Sequence, residues 1–342
     1  MLGTVAALRA LVAVPAWGFA LATMALIRPA DTESRALVAI ACLALPFLAL
    51  DVIDLNFQAA LASRVSVIVR VFSLVAGGAM RLVAIAGHAS LRAFAWIGVL
   101  EALLTGLGLV LAHRVIDRGT GRWRVHRETA RSLLAEAWPL LLSGLAVVVY
   151  TRIDQVMLGM LVGEGAVGVF AAATRLSEAW YFVPTAIVSS VTPALVEARE
   201  RDVAGYLARL ERLFRGLARL SMVVALGLSV LSGPLVAWCY GGRYAAAGPV
   251  LAIHAWTAVF VSLGVAQGQW NVNEGLGRLL LQRTLLAAGL NILLNGVLPR
   301  AGAAGAAIAT LVSQAFATVI ANALDGRTRG ILRMQLRAFL PW

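Results

Sequence analysis

The sequence has 342 residues, of which 61% are hydrophobic and only 13% charged. Soluble domains carry about 25% charged and 45–50% apolar residues, so an ordinary water-soluble domain is excluded. The net charge of +12 comes from arginine alone, and no basic patch with interleaved aromatics marks a nucleic-acid interface, so no nucleic acid is expected as a partner.

Ten apolar stretches follow one another, at roughly 5–27, 36–58, 65–87, 91–112, 137–162, 166–191, 217–239, 247–270, 279–298 and 301–323. Each has about the twenty residues that a helix needs to cross about 30 Å of hydrocarbon. They lack the alternation of a barrel strand, which leaves helices as the spanning element. The first stretch runs on from Ala10 to Ile27, longer than the apolar core of a signal peptide, and reads as a span. Cys42 and Cys239 lie far apart in apolar stretches and read as buried free thiols. His88, His113, His126 and His254 show no metal-ligand spacing, so neither a metal nor a cofactor is expected.

The arginines are unevenly spread between the loops. Segment 113–131 carries six, segment 199–219 six, and the tail holds Arg327, Arg329, Arg333 and Arg337. The alternate loops are nearly bare: none at 163–165, Arg243 at 240–246 and Arg300 at 299–301. The positive-inside rule then puts both termini in the cytoplasm, with Arg81 and Arg92 as the exceptions. Segment 114–130 reads as a cytoplasmic linker between a four-helix bundle, 1–113, and a six-helix bundle, 131–342. Loop 195–216 reads as an amphipathic surface helix, because Leu207, Leu210, Leu213, Phe214 and Leu217 recur at helical spacing among arginines. The expected fold is an all-α integral membrane protein of about ten transmembrane helices in two bundles.

The stretch YTRIDQVMLGMLVGEGAVGVFAAATRLSEAWYFVPTAIVSSVTP, from Tyr150 to Pro193, resembles the seventh and eighth helices of bacterial polysaccharide flippases. The run NILLNGVLPRAGAAGAAIATLVSQ, from Asn291 to Gln314, is similar to their last two helices, with weaker echoes in DVIDLNFQA at Asp51 and GVAQGQW at Gly264. The family is the oligosaccharide flippase branch of the multidrug/oligosaccharidyl-lipid/polysaccharide exporter superfamily. The resemblance implies two lobes around a central cavity that carries polyprenyl-pyrophosphate-linked oligosaccharides across a bacterial inner membrane. A complete member has twelve spans, and MLGTVAALRAL resembles what precedes the third, so the first two helices are expected to be missing. A truncated, non-transporting remnant is therefore one alternative.

Charges at membrane depth need a reason, since each costs about 2.5–3.5 kcal/mol at a helix centre. Counting from Glu164, at the tip of the hairpin, Asp154 is ten residues back and Arg175 eleven forward, both about 15 Å deep at 1.5 Å per residue. Arg152 and Glu178 lie in nearly the same layer. In one reading Asp154 and Arg175 pair to lock the hairpin, with Arg175 and Glu178 as a second pair. In the other, Arg152 or Arg175 faces the cavity and meets the pyrophosphate, for which a planar, permanently charged guanidinium is suited. Arg152 and Asp154 cannot share a helix face, which favours Arg152 as the freer group. Trp180 and Tyr181 lie beside the layer, where they either stack on sugar rings or pack.

Asp51 and Asp54 share a helical face near Arg64 and Arg70, which makes them either a neutralised pair or proton- or sodium-sensitive carboxylates. Gln267, Gln269, Asn271, Asn273 and Glu274 read as an interfacially solvated cluster, and Glu101 and Glu136 as residues near helix ends. Ala301 to Ala309 reads as a close-packing face. The leading expectation is a non-enzymatic flippase. Its partners are the lipid-linked oligosaccharide, membrane lipids, and the polymerase and glycosyltransferases of the pathway. A cation-coupled multidrug exporter is the transporter alternative. A membrane-embedded glycosyltransferase is disfavoured because no outer loop holds a carboxylate pair near a nucleophile or metal ligand.

Overall fold

The computed structural model describes residues 2–27, 30–59, 63–116, 126–298 and 301–340. Among these residues every regular element is helical. The chain divides into two compact units, Met1–Trp138 and Pro139–Trp342.

The first unit opens with α1 (Leu2–Ile27) and a second apolar span, Thr32–Phe57, built from short pieces: α2 (Thr32–Cys42), α3 (Leu45–Leu48), a 3-10 turn and α4 (Val52–Ala59). Asp31 caps α2 by accepting from the Ser34 amide at 2.8 Å, which satisfies one of the free donors of its first turn. Pro46 lies at the start of α3, where its missing N–H cannot continue the ladder of α2. The span breaks there. Then come α5 (Ser63–Ala86) and α6 (Leu91–Ile116), and the unit's core gathers Ala6, Val52, Ile53, Phe57 and Leu109.

α7 (Arg127–Leu161) runs through the boundary into the second unit. The expected span at 137–162 lies mostly on side chains outside the described ones, as do Glu136 and much of the linker 114–130. Gly163, with φ 116°, makes the turn into α8 (Glu164–Glu178), a conformation that L side chains rarely adopt. After a 3-10 turn, α9 (Phe182–Arg201) follows, and Asp202 caps α10 (Val203–Val230) through the Ala204 and Gly205 amides at 3.0 and 2.9 Å. The chain continues through α11 (Ser232–Tyr240), α12 (Ala247–His254), α13 (Thr257–Asn273), α14 (Gly277–Val297), α15 (Gly302–Thr318) and α16 (Arg329–Ala338).

Eight of the described helical runs are long and apolar enough to cross a membrane, or nine with the bent run from Glu164 to Arg201. Large apolar side chains such as Phe19, Leu26, Phe72, Leu82, Val223 and Trp238 lie exposed on their own units, as suits a surface in contact with lipid. Cys239 is also exposed and Cys42 half-buried, so neither thiol is in the core that the sequence suggests.

The expected surface helix at 195–216 is not a separate element. Residues 203–216 are the first half of α10, continuous with its apolar second half. The face formed by Tyr206, Leu210, Phe214 and Leu217 is buried in a protein core with Ile331 and Ala338 of α16. An amphipathic stripe meets protein here rather than the bilayer surface, because α16 supplies a matching apolar face.

The small-residue face of α15 behaves as its composition suggests. Ala303, Gly305, Ala306, Ala307 and Ala309 are buried. A methyl group added at Gly305 would stand 2.5 Å from the Leu298 carbonyl oxygen and 3.0 Å from the Ala301 methyl group. The obstacle is backbone and cannot rotate away. At Gly159 the nearest atom would be a Val167 methyl at 3.4 Å, an ordinary contact. Gly305→Ala is therefore expected to destabilise the second unit by about 1–3 kcal/mol, as overpacking does. Gly159→Ala should be within about 0.5 kcal/mol of wild type. Thermal unfolding of the two variants in detergent tests this, and equal melting temperatures would contradict it.

Candidate functional site: charges and amides at membrane depth

Asp154, in α7, is only 3% exposed and has no arginine partner among the described residues. The Asp154–Arg175 lock is absent. Instead, Asn295 of α14 donates from Nδ2 to Asp154 Oδ1 at 2.5 Å. The Thr310 hydroxyl of α15 stands 2.7 Å from Asp154 Oδ2 and 2.9 Å from the Ala306 carbonyl. A hydroxyl has one hydrogen, so it can serve only one of these oxygens. Asn295 Nδ2 also reaches Asn291 Oδ1 at 3.1 Å. The carboxylate is thus held by neutral donors in an oxygen-rich setting, and a proton or a bare monovalent cation would complete it. Charge without a counter-charge is costly away from water, by several kcal/mol.

The arginines of the hairpin are placed differently. Arg175 sits eleven residues into α8, about 17 Å along its axis, and is exposed on its unit. Among the described residues it makes no ion pair, so the second proposed pair, with Glu178, is absent too. Arg152 is likewise exposed, and the half-buried Glu178 lies close enough to feel its charge. Trp180 and Tyr181, in the turn after α8, are half-buried, and Trp180 Nε1 is buried with no hydrogen-bond partner among the described residues. On the opposite face of α8, Ser177 meets His254 Nδ1 at 2.7 Å, and Phe170 meets the His254 ring edge-on. That pair ties α8 to α12 inside the core.

In the first unit, Arg70 bonds both acidic residues, Asp54 at 2.8 Å and Asp51 at 3.2 Å. One guanidinium thus engages both carboxylates. Glu101 is not near a helix end: it lies ten residues into α6 and pairs with Arg81 of α5 at 2.6 Å. One ion pair thus accounts for both Glu101 and Arg81.

A further cluster lies at the other end of α14. Arg283 is 4% exposed, and its Nη1 and Nη2 donate to Asn322 Oδ1 at 2.5 Å and Thr328 Oγ1 at 2.6 Å. The amides of Gln267, Asn322 and Gln335 link to one another at 2.8–3.2 Å. Gln267 and Asn271 are therefore buried in protein rather than solvated at the interface, and Glu274 is engaged by Arg199 at 3.0 Å. Arg283 and the asparagines 291 and 295 were not picked out from the sequence. The available signals were an arginine inside the apolar stretch 279–298 and two asparagines four residues apart on one helix face.

The family model of polysaccharide biosynthesis proteins matches residues 19–249, about two thirds of the chain. The probable flippase AglR of Haloferax volcanii is 31% identical over 184 residues, which cover 50% of this chain and 37% of that protein. A probable low-salt glycan biosynthesis flippase of the same organism is 23% identical over 227 residues, covering 65% of this chain and 48% of that one. The chain thus aligns with about half or less of the length of these curated relatives. Among solved structures, lipid II flippase MurJ in an inward closed conformation superposes with a TM-score of 0.72 at 13% identity, covering 98% of this chain and 75% of that one. An inward-facing multidrug resistance transporter of the MATE family, in the MOP superfamily, also gives 0.72, at 14% identity, covering 98% and 81%. These two likenesses show a common fold. The chain is a multi-pass membrane protein, and it belongs to the polysaccharide biosynthesis protein family.

Proposed function

We propose that the chain is the membrane-embedded body of a flippase. Its cargo is a polyprenyl-pyrophosphate-linked oligosaccharide, moved from the cytoplasmic to the outer leaflet of a bacterial inner membrane for polysaccharide assembly. The carrying observation is Arg175: a guanidinium about 17 Å into a spanning helix, exposed and unpaired among the described residues. Facing lipid, it would cost about 2.5–3.5 kcal/mol, so a charge so placed belongs in a polar path. With Arg152, on the preceding helix of the same hairpin, it gives two forked donors for the oxygens of a pyrophosphate, and Trp180 and Tyr181 offer ring faces for sugars. Family membership supports the polysaccharide context, and the flippases among the relatives support movement across the bilayer without covalent chemistry.

In this proposal a four-helix bundle, 1–113, and a six-helix bundle, 131–342, act on either side of the linker, and both termini are cytoplasmic. The polymerase and glycosyltransferases of the pathway would deliver and receive the cargo. Asp51 and Asp54, both engaged by Arg70, have a structural role. Coupling falls instead to Asp154, whose oxygen-rich setting needs a proton or a monovalent cation to complete it.

Two outcomes follow. In proteoliposomes, a fluorescent polyprenyl-pyrophosphate sugar should cross faster with the protein than without it. Arg175→Ala should lower that rate at least about tenfold, with partial recovery in Arg175→Lys, which keeps the charge but not the fork. Transport of cationic dyes alone, or an unimpaired Arg175→Ala, would contradict the reading. Asp154→Asn should make the rate independent of imposed sodium and proton gradients; a gradient response equal to that of wild type would remove Asp154 from coupling.

A further inference from the structure

The second unit contains a cavity of about 250 Å³ between α13, α14 and α15, walled in part by Arg283, Asn271 and Thr284 and in part by Val261, Val265 and Leu280. We propose that this cavity is a binding site for a phosphoryl group carrying a short hydroxylated substituent, with Arg283 as its cation. It is separate from the hairpin arginines and does not rest on the transport reading.

The first support is charge. Arg283 is buried, yet the groups it bonds are the neutral oxygens of Asn322 and Thr328. No carboxylate bonds Arg283 among the described residues. Asp325, the acid whose charge reaches it, is half-buried and is itself gripped by Arg327 at 2.8 and 3.1 Å. A guanidinium has five N–H donors, so at least two remain for an anion. Phosphate oxygens are strong acceptors that match this planar fork.

The second support is an unanswered acceptor. Asn271 is 2% exposed, and its Oδ1 is buried without a hydrogen-bond partner. Native proteins rarely leave such an atom unsatisfied. An anion alone would not satisfy it, whereas a hydroxyl group beside the phosphoryl would donate to it. The polar and apolar walls together suit an amphiphile or its headgroup.

Depth and size narrow the occupant. Arg283 is six residues, about 9 Å, from the first residue of α14, and helix side chains lean toward the N-terminus. Its charge is therefore drawn from the hydrocarbon toward the interface, where lipid phosphates lie. The cavity is below the ~300–1,000 Å³ of pockets for drug-sized ligands, so it takes a headgroup rather than a whole oligosaccharide. A glycerol-phosphate unit has this chemistry, whether on a lipid or free in water.

The test uses the full chain, delipidated in detergent, with native mass spectrometry and thermal unfolding as readouts. The probes are phosphatidylglycerol, diacylglycerol, free glycerol phosphate and glycerol. Wild type should retain one phosphatidylglycerol and show little retention of diacylglycerol. Asn271→Asp, which keeps the side chain's size but puts a negative charge into the cavity, should weaken retention at least about tenfold by like-charge repulsion. Arg283→Gln should do the same, and if it fails to fold, Asn271→Asp decides alone. A melting shift with phosphatidylglycerol alone supports a lipid occupant, and a shift with glycerol phosphate as well supports a site open to soluble phosphates. Equal retention of phosphatidylglycerol and diacylglycerol with no shift from glycerol phosphate, or retention unchanged in Asn271→Asp, would overturn the assignment.

Discussion

Hydrocarbon gives a polar group no partner, so every charge and amide at membrane depth has to be answered by another part of the chain or by something that enters. That constraint accounts for most of the specific contacts in this protein. In the first unit the answer is ionic: Arg70 takes both Asp51 and Asp54, and Arg81 takes Glu101. These contacts fasten neighbouring helices. In the second unit the answer is mostly neutral, and the balance is incomplete.

Helix α14 shows this most clearly. Toward one end, its Asn291 and Asn295 surround a carboxylate from α7 that has no cation among the described residues. Toward the other, its Arg283 is held by hydroxyl and amide oxygens with no carboxylate bonded to it. The carboxylate of α7 and the guanidinium of α14 are thus tied to one helix at points eight residues apart, Asn291 and Arg283, about 12 Å along its axis. Direct pairing would have been the simpler structural solution. Keeping the two apart leaves each open to a mobile ion or a ligand, as the proposed transport role requires. In the proposed flippase, Arg175 and Arg152, exposed on their helices, would extend the same logic to a larger anionic cargo.

The spans were legible because length and apolarity are local properties. The apolar stretches at 91–112 and 247–270 lie within α6 and the α12–α13 run, and that at 301–323 matches the α15 run to within one residue. The close-packing face at 301–309 was readable for the same reason, since glycine and alanine act through size alone. What failed was pairing. The partners of Asp154 lie 141 and 156 residues away along the chain, and no spacing rule reaches that far. The nearest arginine in depth, Arg175, was a reasonable expectation, but residues at one depth can still point in different directions. The amphipathic stripe of α10 was seen correctly as a stripe and assigned to the wrong neighbour, because its partner α16 lies more than a hundred residues on. Arg283 escaped because a single arginine hardly alters the hydropathy of its stretch.

The central claim is that Arg175 borders a watery path that admits a pyrophosphate. Labelling tests it most directly: Arg175→Cys, with Cys42 and Cys239 changed to Ser, is treated in membranes with a water-soluble, membrane-impermeant thiol reagent. Rapid modification that slows when a polyprenyl-pyrophosphate sugar is added is the expected result. A thiol at 175 that resists the soluble reagent yet reacts with a lipid-soluble one would place this position against hydrocarbon and contradict the claim.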